Sequence, residues 1–579
     1  MKNAEIAAAF DELGDLYELD GAVVYRVVAY RNAAKAIRDS AASVEELSRA
    51  GRVEELPGIG RTIAEKITAL LETGTIPSAE KLKAKFPPGL VEITRIPGLG
   101  PKRARKLYDE LGISSLEELK AAAEQQQLRA VAGFGAKAEE NILTALAAGH
   151  DGRPKARTLL SRALPIAEEL ATALREHPAS ERVEIAGSAR RMAETCKDLD
   201  LVATANDAEA LAAAFSELPL IDEVHSSGPA GVRATTNNGI SVDLRIVPPE
   251  NFGNLLQHFT GSGKHNEAMR TESVRRGFHV SEYGVTDDST DTTHACATEE
   301  EVYELLGMQY IEPELRENRG ELEAARKHEL PELIRVEDLC GDLHCHTTAS
   351  DGRNSLEEMV QTAIELGYEY LAITEHSATH GFGNDVQQDE LLRLTERIRE
   401  LNESLDGITL VPGTEVNVLP DGTLDYADEV LEQVDWVIAS LHTSFRMKEK
   451  EMTDRMIHAM EHPLVDAIGH PTGRKIELRD PYELNIERVV EAALRTGTFL
   501  EINSNPDRRD LNESNARLAA EAGVMLVIDS DAHGMETLAN IRYGVATARR
   551  GWLTAAQVAN TRSWPELDAL RKRGARAKG

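Results

Sequence analysis

Residues 342–352 read DLHCHTTASDG and place two histidines, His344 and His346, at the end of a short β-type run. Because alternate side chains of a strand point to the same face, both imidazoles are expected on one side of the chain. Neutral imidazole is a ligand for zinc and other transition metals. This stretch therefore predicts a metal site at the end of a strand.

Beyond residue 341 the sequence alternates apolar β-type runs with helical stretches. The runs are LAIT, ITLVPG, WVIAS, DAIGH, TFLEIN and VMLVIDSDAH. This alternation is typical of a parallel α/β fold, for which a barrel is the expected form. Barrel active sites lie at the carboxyl ends of the strands. Residues 338–579 are therefore predicted to form a barrel domain with its site at that end.

Histidines and acids recur where these runs end. With the opening pair they are His344, His346, Asp351, His376, Glu415, His442, His470, Asp531 and His533. A single histidine near a strand end is more often structural than a ligand. Nine nitrogen and oxygen donors in one α/β region are difficult to explain as core packing, so a metal centre is favoured. Arg474, just after His470, is expected to contact a substrate phosphate.

A second set of acids lies upstream of the barrel. Asp198 and Asp200 are two apart on a predicted strand, and Asp243 lies in another predicted strand, so the three carboxylates can converge. Three such carboxylates can hold two Mg²⁺ ions for in-line phosphoryl transfer. The preceding turn, Gly187-Ser188 with two arginines after it, could hold a triphosphate. Together these features favour nucleotidyl transfer over exposed strand acids.

The N-terminal region contains a repeated glycine turn. The copies are LPGIG at 56–60, IPGLG at 96–100 and, more loosely, VAGFG at 131–135, each followed by a helical run. Such turns resemble the helix-hairpin-helix motif, in which backbone N–H groups at a helix start meet a DNA phosphate. The alternative is a set of plain helix connectors. The residues expected to contact DNA are Gly58, Gly60, Gly98, Gly100, Lys102, Arg103, Arg105, Gly133 and Gly135.

Charge and composition exclude few functions. The 579 residues carry a net charge of −33, which argues against phosphate binding by the chain as a whole. Residues 1–150, however, hold 20 lysines and arginines against 22 acids, so the acidity lies elsewhere. The four cysteines form no CxxC pair, and no apolar run is long enough to span a membrane. A cytoplasmic, nucleoid-associated monomer is expected, with no membrane partner.

The upstream motifs resemble the palm and thumb of family X DNA polymerases, the polymerase β group. The resemblance rests on GSARR at 187–191, DLD at 198–200, VDLR at 242–245, FTGS at 259–262 and the pair Asn266 and Arg270. It implies that Asp198, Asp200 and Asp243 are catalytic and bind Mg²⁺ or Mn²⁺. The nucleotide contacts that it implies are Gly187, Ser188, Arg191, Phe259, Gly261, Asn266 and Arg270.

Two departures from that family affect ribose discrimination and the removal of 5′-deoxyribose phosphate. His258 stands where the β-type enzyme has a tyrosine beside the sugar, which puts ribose discrimination in question. Lys66 matches the family's Schiff-base lysine for removing 5′-deoxyribose phosphate, but Thr62 replaces a neighbouring family lysine. A surface lysine on a hairpin helix is the alternative interpretation of Lys66.

The barrel resembles the PHP family, named for polymerase and histidinol phosphatase, whose fold is a distorted (βα)7 barrel. The resemblance implies that the nine histidines and acids bind up to three divalent ions, which can be Zn²⁺, Mn²⁺ or Fe²⁺. It also implies that a metal-activated hydroxide hydrolyses a phosphoester.

In this order, the two regions resemble bacterial and archaeal family X polymerases with a C-terminal PHP domain. The resemblance implies a multidomain α/β protein that binds gapped or primed DNA and dNTPs. The expected domains are a helical 8-kDa-like and fingers region (1–150), palm and thumb (151–312), a linker (313–337) and the barrel (338–579). The expected function is short gap filling in DNA repair, with a 3′–5′ exonuclease and an AP endonuclease as a further activity. The alternatives are a histidinol phosphate-like phosphatase with a DNA-binding N-terminal half, and a non-enzymatic scaffold.

Overall fold

The computed structural model describes residues 1–579 apart from 41, 57, 95, 97–98, 132, 148–156, 380–384 and 574–579. The chain divides into two compact units. The N-terminal unit comprises Met1–Ala189, Thr195–Phe259 and Ala295–Ala297, and the C-terminal unit comprises Arg190–Glu194, Thr260–His294 and Thr298–Gly579. Among the described residues, no helix has both the length and the apolar character needed to cross a membrane.

The first part of the N-terminal unit is helical. Its helices are α1 (Asn3–Leu19), α2 (Val24–Asp39), α3 (Val44–Arg49), α4 (Arg61–Thr73), α5 (Pro77–Lys83), α6 (Pro88–Thr94), α7 (Pro101–Leu111), α8 (Leu116–Glu124) and α9 (Ala136–Ala147). In α4 the buried residues Ala64, Ile67 and Leu70 recur every third position, which is the spacing of one helix face. The helix ends at Gly74, whose φ of 72° is readily adopted by glycine. The helical hairpins predicted for this region are confirmed.

A two-stranded sheet, formed by the first and third of the strands named here, and a five-stranded sheet follow the helices. The elements are β1 (Thr158–Leu159), α10 (Leu160–Arg175), β2 (Ser180–Ala186), α11 (Gly187–Arg190), β3 (Thr195–Cys196), β4 (Asp198–Ala205), α12 (Ala208–Ser216), β5 (Ile221–Gly228), β6 (Gly231–Thr236), β7 (Ser241–Ile246) and α13 (Phe252–Thr260). The strand order is β2-β4-β7-β6-β5, and β4 pairs with β7 in parallel. Alternate residues of β7 are buried, which leaves Asp243 on the opposite face from the core.

The segment between this sheet and the barrel is folded. It contains α14 (Gly263–Arg275), β8 (Phe278–Ser281), β9 (Gly284–Asp287), β10 (Thr292–His294), α15 (Glu299–Leu305) and α16 (Glu321–Lys327). Residues 313–337, expected to be a linker, include α16 and the fully buried Arg316. The guanidinium of Arg316 donates to Glu299 at 2.5 Å and to the carbonyl of Ile311 at 2.8 Å.

The rest of the C-terminal unit is the predicted barrel, which is nearly closed. Its strands are β11 (Gly341–Asp342), β12 (Tyr370–Ile373), β13 (Thr409–Asn417), β14 (Trp436–Ser440), β15 (Ala467–Ile468), β16 (Phe499–Asn503) and β17 (Leu526–Asp529). Its helices are α17 (Leu356–Glu365), α18 (Gln388–Asn402), α19 (Asp428–Leu431), α20 (Glu449–Glu461), α21 (Ile486–Thr496), α22 (Glu513–Glu521), α23 (Met535–Leu538), α24 (Ile541–Arg550) and α25 (Trp564–Asp568). The strands pair in parallel in sequence order, which confirms the seven-stranded βα architecture.

Hydrogen bonds link the first and last strands of the barrel. The backbone N–H of Leu343 donates to the carboxylate of Asp529 at 3.0 Å, and that of Ser530 donates to Asp342 at 3.1 Å. The N–H of His346 donates to the carbonyl of Ala532 at 2.8 Å. The sequence just after β11 is thereby held beside the sequence just after β17, although these strands do not pair.

Candidate active sites

The nine predicted metal ligands lie at one end of the barrel. His344, His346 and Asp351 follow β11, His376 follows β12, Glu415 lies in β13, His442 follows β14, His470 follows β15, and Asp531 and His533 follow β17. Parallel strands end at the same edge, so these side chains converge. Asp351 is 34% exposed and His533 32%, whereas the other seven are buried.

Eight of the nine residues form three overlapping groups of possible metal donors. In each group the donor atoms lie within 4.8 Å of one another, and no group is mainly exposed. The groups are His346, Asp351, His376 and His533; His344, His346 and Asp531; and His376, Glu415 and His442. His470 lies beside the third group, with Nε2 3.0 Å from Oε1 of Glu415. Histidine and carboxylate sets of this kind suit divalent metals.

Several buried ring nitrogens support this interpretation. Nε2 of His344 and both ring nitrogens of His346 make no hydrogen bond of ordinary geometry within the described chain. A buried polar atom without a partner costs about 1–3 kcal/mol, so native proteins rarely leave such atoms together. The residues present therefore fit divalent ions, which would satisfy these nitrogens.

The protonation states of residues in the barrel site favour metal binding. Glu415 lies at its centre, with carboxylate oxygens 2.8 Å from Nδ1 of His376 and 3.2 Å from Nε2 of His442. Burial alone would raise the pKa of Glu415, but the surrounding imidazoles hold it well below its usual range. Burial, with His376 and His533 nearby, lowers the pKa of His346 to about 3. A neutral imidazole beside an ionised carboxylate is the form that binds metal.

A cavity of about 370 Å³ opens onto these ligands, and cations line it. Besides ligands it is bordered by Lys475, Arg479 and Arg508, together with Asn505 and Phe445. Nε of Arg508 lies 3.7 Å from Asp531. Sequence reasoning missed all three cations. Their position in loops just after β15 and β16, at the active end of a barrel, was the available signal.

Arg474 does not border this cavity. Its guanidinium donates to the carboxylate of Glu194 at 2.5 Å and also to the carbonyl of Arg509. The guanidinium of Arg474 is thus held by an acid from the segment Arg190–Glu194, and a phosphate contact by Arg474 stays a prediction.

The three predicted catalytic carboxylates lie on two paired strands of the five-stranded sheet, Asp198 and Asp200 on β4 and Asp243 on β7. Parallel pairing places Asp200 opposite Asp243, and Asp198 opposite Ser241. Nε of Arg245 lies 3.1 Å from Asp243, and Nε of Arg233 lies 3.3 Å from it. Two cations thus offset part of the repulsion between the acids. A set of carboxylates of this kind can also bind divalent metal ions.

Gly187 is required at its position beside these acids. It has a φ of 64°, and a Cβ built there would lie 2.1 Å from Oδ2 of Asp200. Only glycine combines the left-handed conformation with so close an approach. The turn before Ser188 therefore lies directly against a predicted metal ligand.

The predicted nucleotide contacts fall in both units. Gly187, Ser188 and Phe259 belong to the N-terminal unit, and Arg191, Gly261, Asn266 and Arg270 to the C-terminal unit. In the N-terminal unit, Phe259 packs beside His258, with ring centroids 5.6 Å apart. In the C-terminal unit, Arg191 donates to Glu317 at 3.1 Å and to the carbonyl of Thr260.

The hairpin glycines lie at helix starts. Gly60 and Gly100 precede α4 and α7 directly, Gly135 precedes α9, and Gly58 and Gly133 have positive φ. Gly98 lies outside the described residues. Lys66 is a partly exposed residue of α4.

The basic residues of the second hairpin differ in what they contact. Lys102 is 79% exposed, 3.9 Å from Glu18. Arg103 donates to the carbonyl of Gly133 and stacks over Phe134, and Arg105 pairs with Asp109. Of these three, Lys102 has the most accessible charge.

Four known families match parts of the chain. Residues 1–76 match a helix-hairpin-helix domain, and residues 90–148 match a SAM-like helix-hairpin-helix tandem. Residues 255–317 match the DNA polymerase beta thumb, and residues 342–505 match the PHP domain. These matches agree with the hairpins and the parallel barrel.

Known proteins match the whole chain or a part of it. A Bacillus subtilis protein named DNA polymerase/3′-5′ exonuclease PolX is 39% identical over 576 residues, covering 99% of this chain and 100% of the relative. A probable phosphatase of Thermoanaerobacter is 31% identical, over 38% of this chain and 89% of its own. A probable phosphatase of Acetivibrio thermocellus is 32% identical, over 33% and 78%.

Proposed function

Because this chain belongs to the PolX family of DNA polymerase/3′-5′ exonucleases, we propose that it fills short gaps in DNA during repair and degrades DNA from 3′ ends. The observation that carries the proposal is the joint presence of two separate sites along a chain that the PolX relative matches over 99% of its length. One is the acid set on β4 and β7, and the other is the donor cluster of the barrel.

For polymerisation, Asp198, Asp200 and Asp243 would hold two Mg²⁺ or Mn²⁺ ions. When bound, the ions would neutralise charge that develops during in-line phosphoryl transfer. Gly187 and Ser188 would hold the incoming triphosphate together with Arg191. Phe259 and Gly261 would line the sugar pocket, and Asn266 and Arg270 would face the base and the template. dNTPs and primed or gapped DNA are the proposed substrates.

For exonuclease action, the nine barrel residues would hold up to three ions, which can be Zn²⁺, Mn²⁺ or Fe²⁺. Bound metal would supply a hydroxide that attacks the phosphodiester. Lys475, Arg479 and Arg508 border the same cavity, where they would bind the phosphate backbone and orient the terminal linkage toward the metals.

The helical hairpins would hold DNA through backbone N–H groups at the starts of α4, α7 and α9, with side chains such as Lys102 adding charge. We further propose that residues 1–150, 151–312 and 338–579 act as DNA-binding, polymerase and nuclease domains of a monomer.

A small-molecule phosphatase is the second candidate for the barrel, favoured by the names of the Thermoanaerobacter and Acetivibrio relatives. One experiment separates the two. The purified protein is given a labelled one-nucleotide-gapped duplex, a 3′-labelled single strand and histidinol phosphate, each with Mg²⁺ or Mn²⁺. Gap filling and shortening of the strand support the proposal. Phosphate release from histidinol phosphate with intact DNA supports the phosphatase.

A further inference from the structure

Glu501 is a buried carboxylate beside the barrel site that belongs to none of the three donor groups. It lies in β16, between the strand that leads to His470 and the strand that leads to Asp531. The apolar run TFLEIN gave no reason to single it out.

Hydrogen bonds connect this carboxylate to ligand residues on two other strands. Oε1 lies 2.6 Å from Nδ1 of His344. Oε2 accepts the backbone N–H of His470 and, at 3.2 Å, Nδ2 of Asn503. The same Nδ2 also donates to Asp531 at 2.9 Å.

The contact with His344 decides which ring nitrogen can face a metal. With Nδ1–H donated to Glu501, Nε2 carries the lone pair, and it lies 3.4 Å from Glu415 and 3.6 Å from Asp531. Metal-binding histidines are commonly fixed in this way by a carboxylate, and loss of such a partner typically costs 10- to 100-fold in metal affinity.

We propose that Glu501 is a positioning residue that holds His344, His470 and, through Asn503, Asp531 for a divalent metal without binding the metal itself. The inference deepens the proposed function of the barrel, on which it rests.

A glutamine cannot replace Glu501, because the donors around it need two acceptor oxygens. An amide offers one acceptor oxygen, and its NH₂ group must then face either His344 or the N–H of His470. In the first case the imidazole favours the tautomer whose Nε2 is protonated, and returning that proton to Nδ1 for metal binding lowers the metal affinity. In the second, two N–H donors face each other and the loop after β15 must shift.

The test compares Glu501→Gln with wild type and with Asp466→Asn. Asp466 is also buried, but it precedes β15 at the opposite end of the strand and pairs with Arg571. Bound Mn²⁺ is measured by elemental analysis after dialysis against defined Mn²⁺ concentrations, without substrate, so the result does not depend on which phosphoester the barrel hydrolyses. Exonuclease activity is then titrated with Mn²⁺, and gap filling is assayed beside it.

We expect Glu501→Gln to need about 10- to 100-fold more Mn²⁺ for half occupancy and for half-maximal exonuclease activity, with activity restored at saturation and gap filling unchanged. Asp466→Asn should keep the wild-type requirement. An unchanged Mn²⁺ requirement in Glu501→Gln would overturn the proposal. So would a loss of Mn²⁺ that no concentration restores, since Glu501 would then be a ligand.

If Glu501→Gln does not fold, Asn503→Ala decides the question. It removes the link from Glu501 to Asp531 and should raise the Mn²⁺ requirement severalfold. An unchanged requirement would also overturn the proposal.

Discussion

Asp200 lies directly opposite Asp243 in the parallel pairing of β4 and β7. The two residues are 43 positions apart in the sequence, and only the strand register brings them together. Because Asp198 lies two residues before Asp200 on the same strand, the register forms one group of three acids.

Replacing Asp243 by alanine should abolish nucleotide addition and spare 3′–5′ degradation. Loss of a metal ligand should lower the polymerisation rate by roughly 10³-fold or more, because the metals stabilise the in-line transition state. Primer extension on gapped DNA and release of label from a 3′ end measure the two activities. Wild-type extension by this variant would show that the acid set is not the polymerase site.

Gly187→Ala should also abolish nucleotide addition, although it adds only one methyl group. The new Cβ would meet Oδ2 of Asp200 at 2.1 Å and would sit at a φ of 64°, so the turn or the acid must move. Gly497→Ala is the matched control, because Gly497 has a similar φ of 68° but a Cβ there meets nothing within 4 Å. Equal polymerase activity in both variants would contradict the close packing of the turn against Asp200.

Gly100→Val should weaken binding to gapped DNA about tenfold and leave both active sites intact. Gly100 has a φ of −53° and open space around it, so the protein can accept the side chain while a phosphate cannot approach the start of α7 as closely. Binding titrations at several salt concentrations measure the effect. The salt slope should stay near that of wild type because no charge is removed. Unchanged affinity would show that this hairpin is not part of the DNA-binding surface of the protein.

Replacing His344 and His346 together by alanine should remove 3′–5′ degradation while gap filling persists. Both are donors in the group with Asp531, and His346 also belongs to the group with Asp351. Metal content should fall in parallel, and a chelator should inactivate the wild-type barrel in the same way. Full exonuclease activity in a variant that has lost its metal would show that the exonuclease site is not the donor cluster of the barrel.

Stability should depend on Glu299 in a defined pH window. Burial alone would raise the pKa of Glu299, but Arg316 and Arg190 lower it to about 2. A carboxyl whose pKa is lower in the folded than in the unfolded chain stabilises the fold above its ordinary pKa, and this contribution is lost as pH falls from about 4.5 to about 2. Glu299→Gln should therefore reduce the free energy of unfolding at pH 7 by about 3 kcal/mol, since it leaves Arg316 buried without its partner.

Thermal unfolding followed by circular dichroism at pH 7, 5, 4 and 3 measures this effect. The gap in melting temperature between wild type and Glu299→Gln should be constant from pH 7 to 5 and narrow below that. A difference in melting temperature that widens toward pH 3 would contradict the lowered pKa of Glu299.

The sequence by itself predicted the pairs whose geometry is local. His344 with His346, and Asp198 with Asp200, are each two residues apart on or beside a strand, where alternation of side chains already places both members on one face. The βα alternation predicted the barrel for a similar reason, because burial on both faces requires near-continuous apolar strands. The glycine turns predicted helix starts, since glycine tolerates the backbone conformations of such turns.

Only the tertiary structure decided which distant residues meet. It grouped His346 with Asp351, His376 and His533, directed Arg474 to Glu194 instead of the metal pocket, and brought Lys475, Arg479 and Arg508 to that pocket. It also placed Glu501 within hydrogen-bonding distance of His344, which lies 157 positions earlier in the sequence. Strand order and register fix these distances, and they depend on packing between elements far apart in the chain, which no local periodicity encodes.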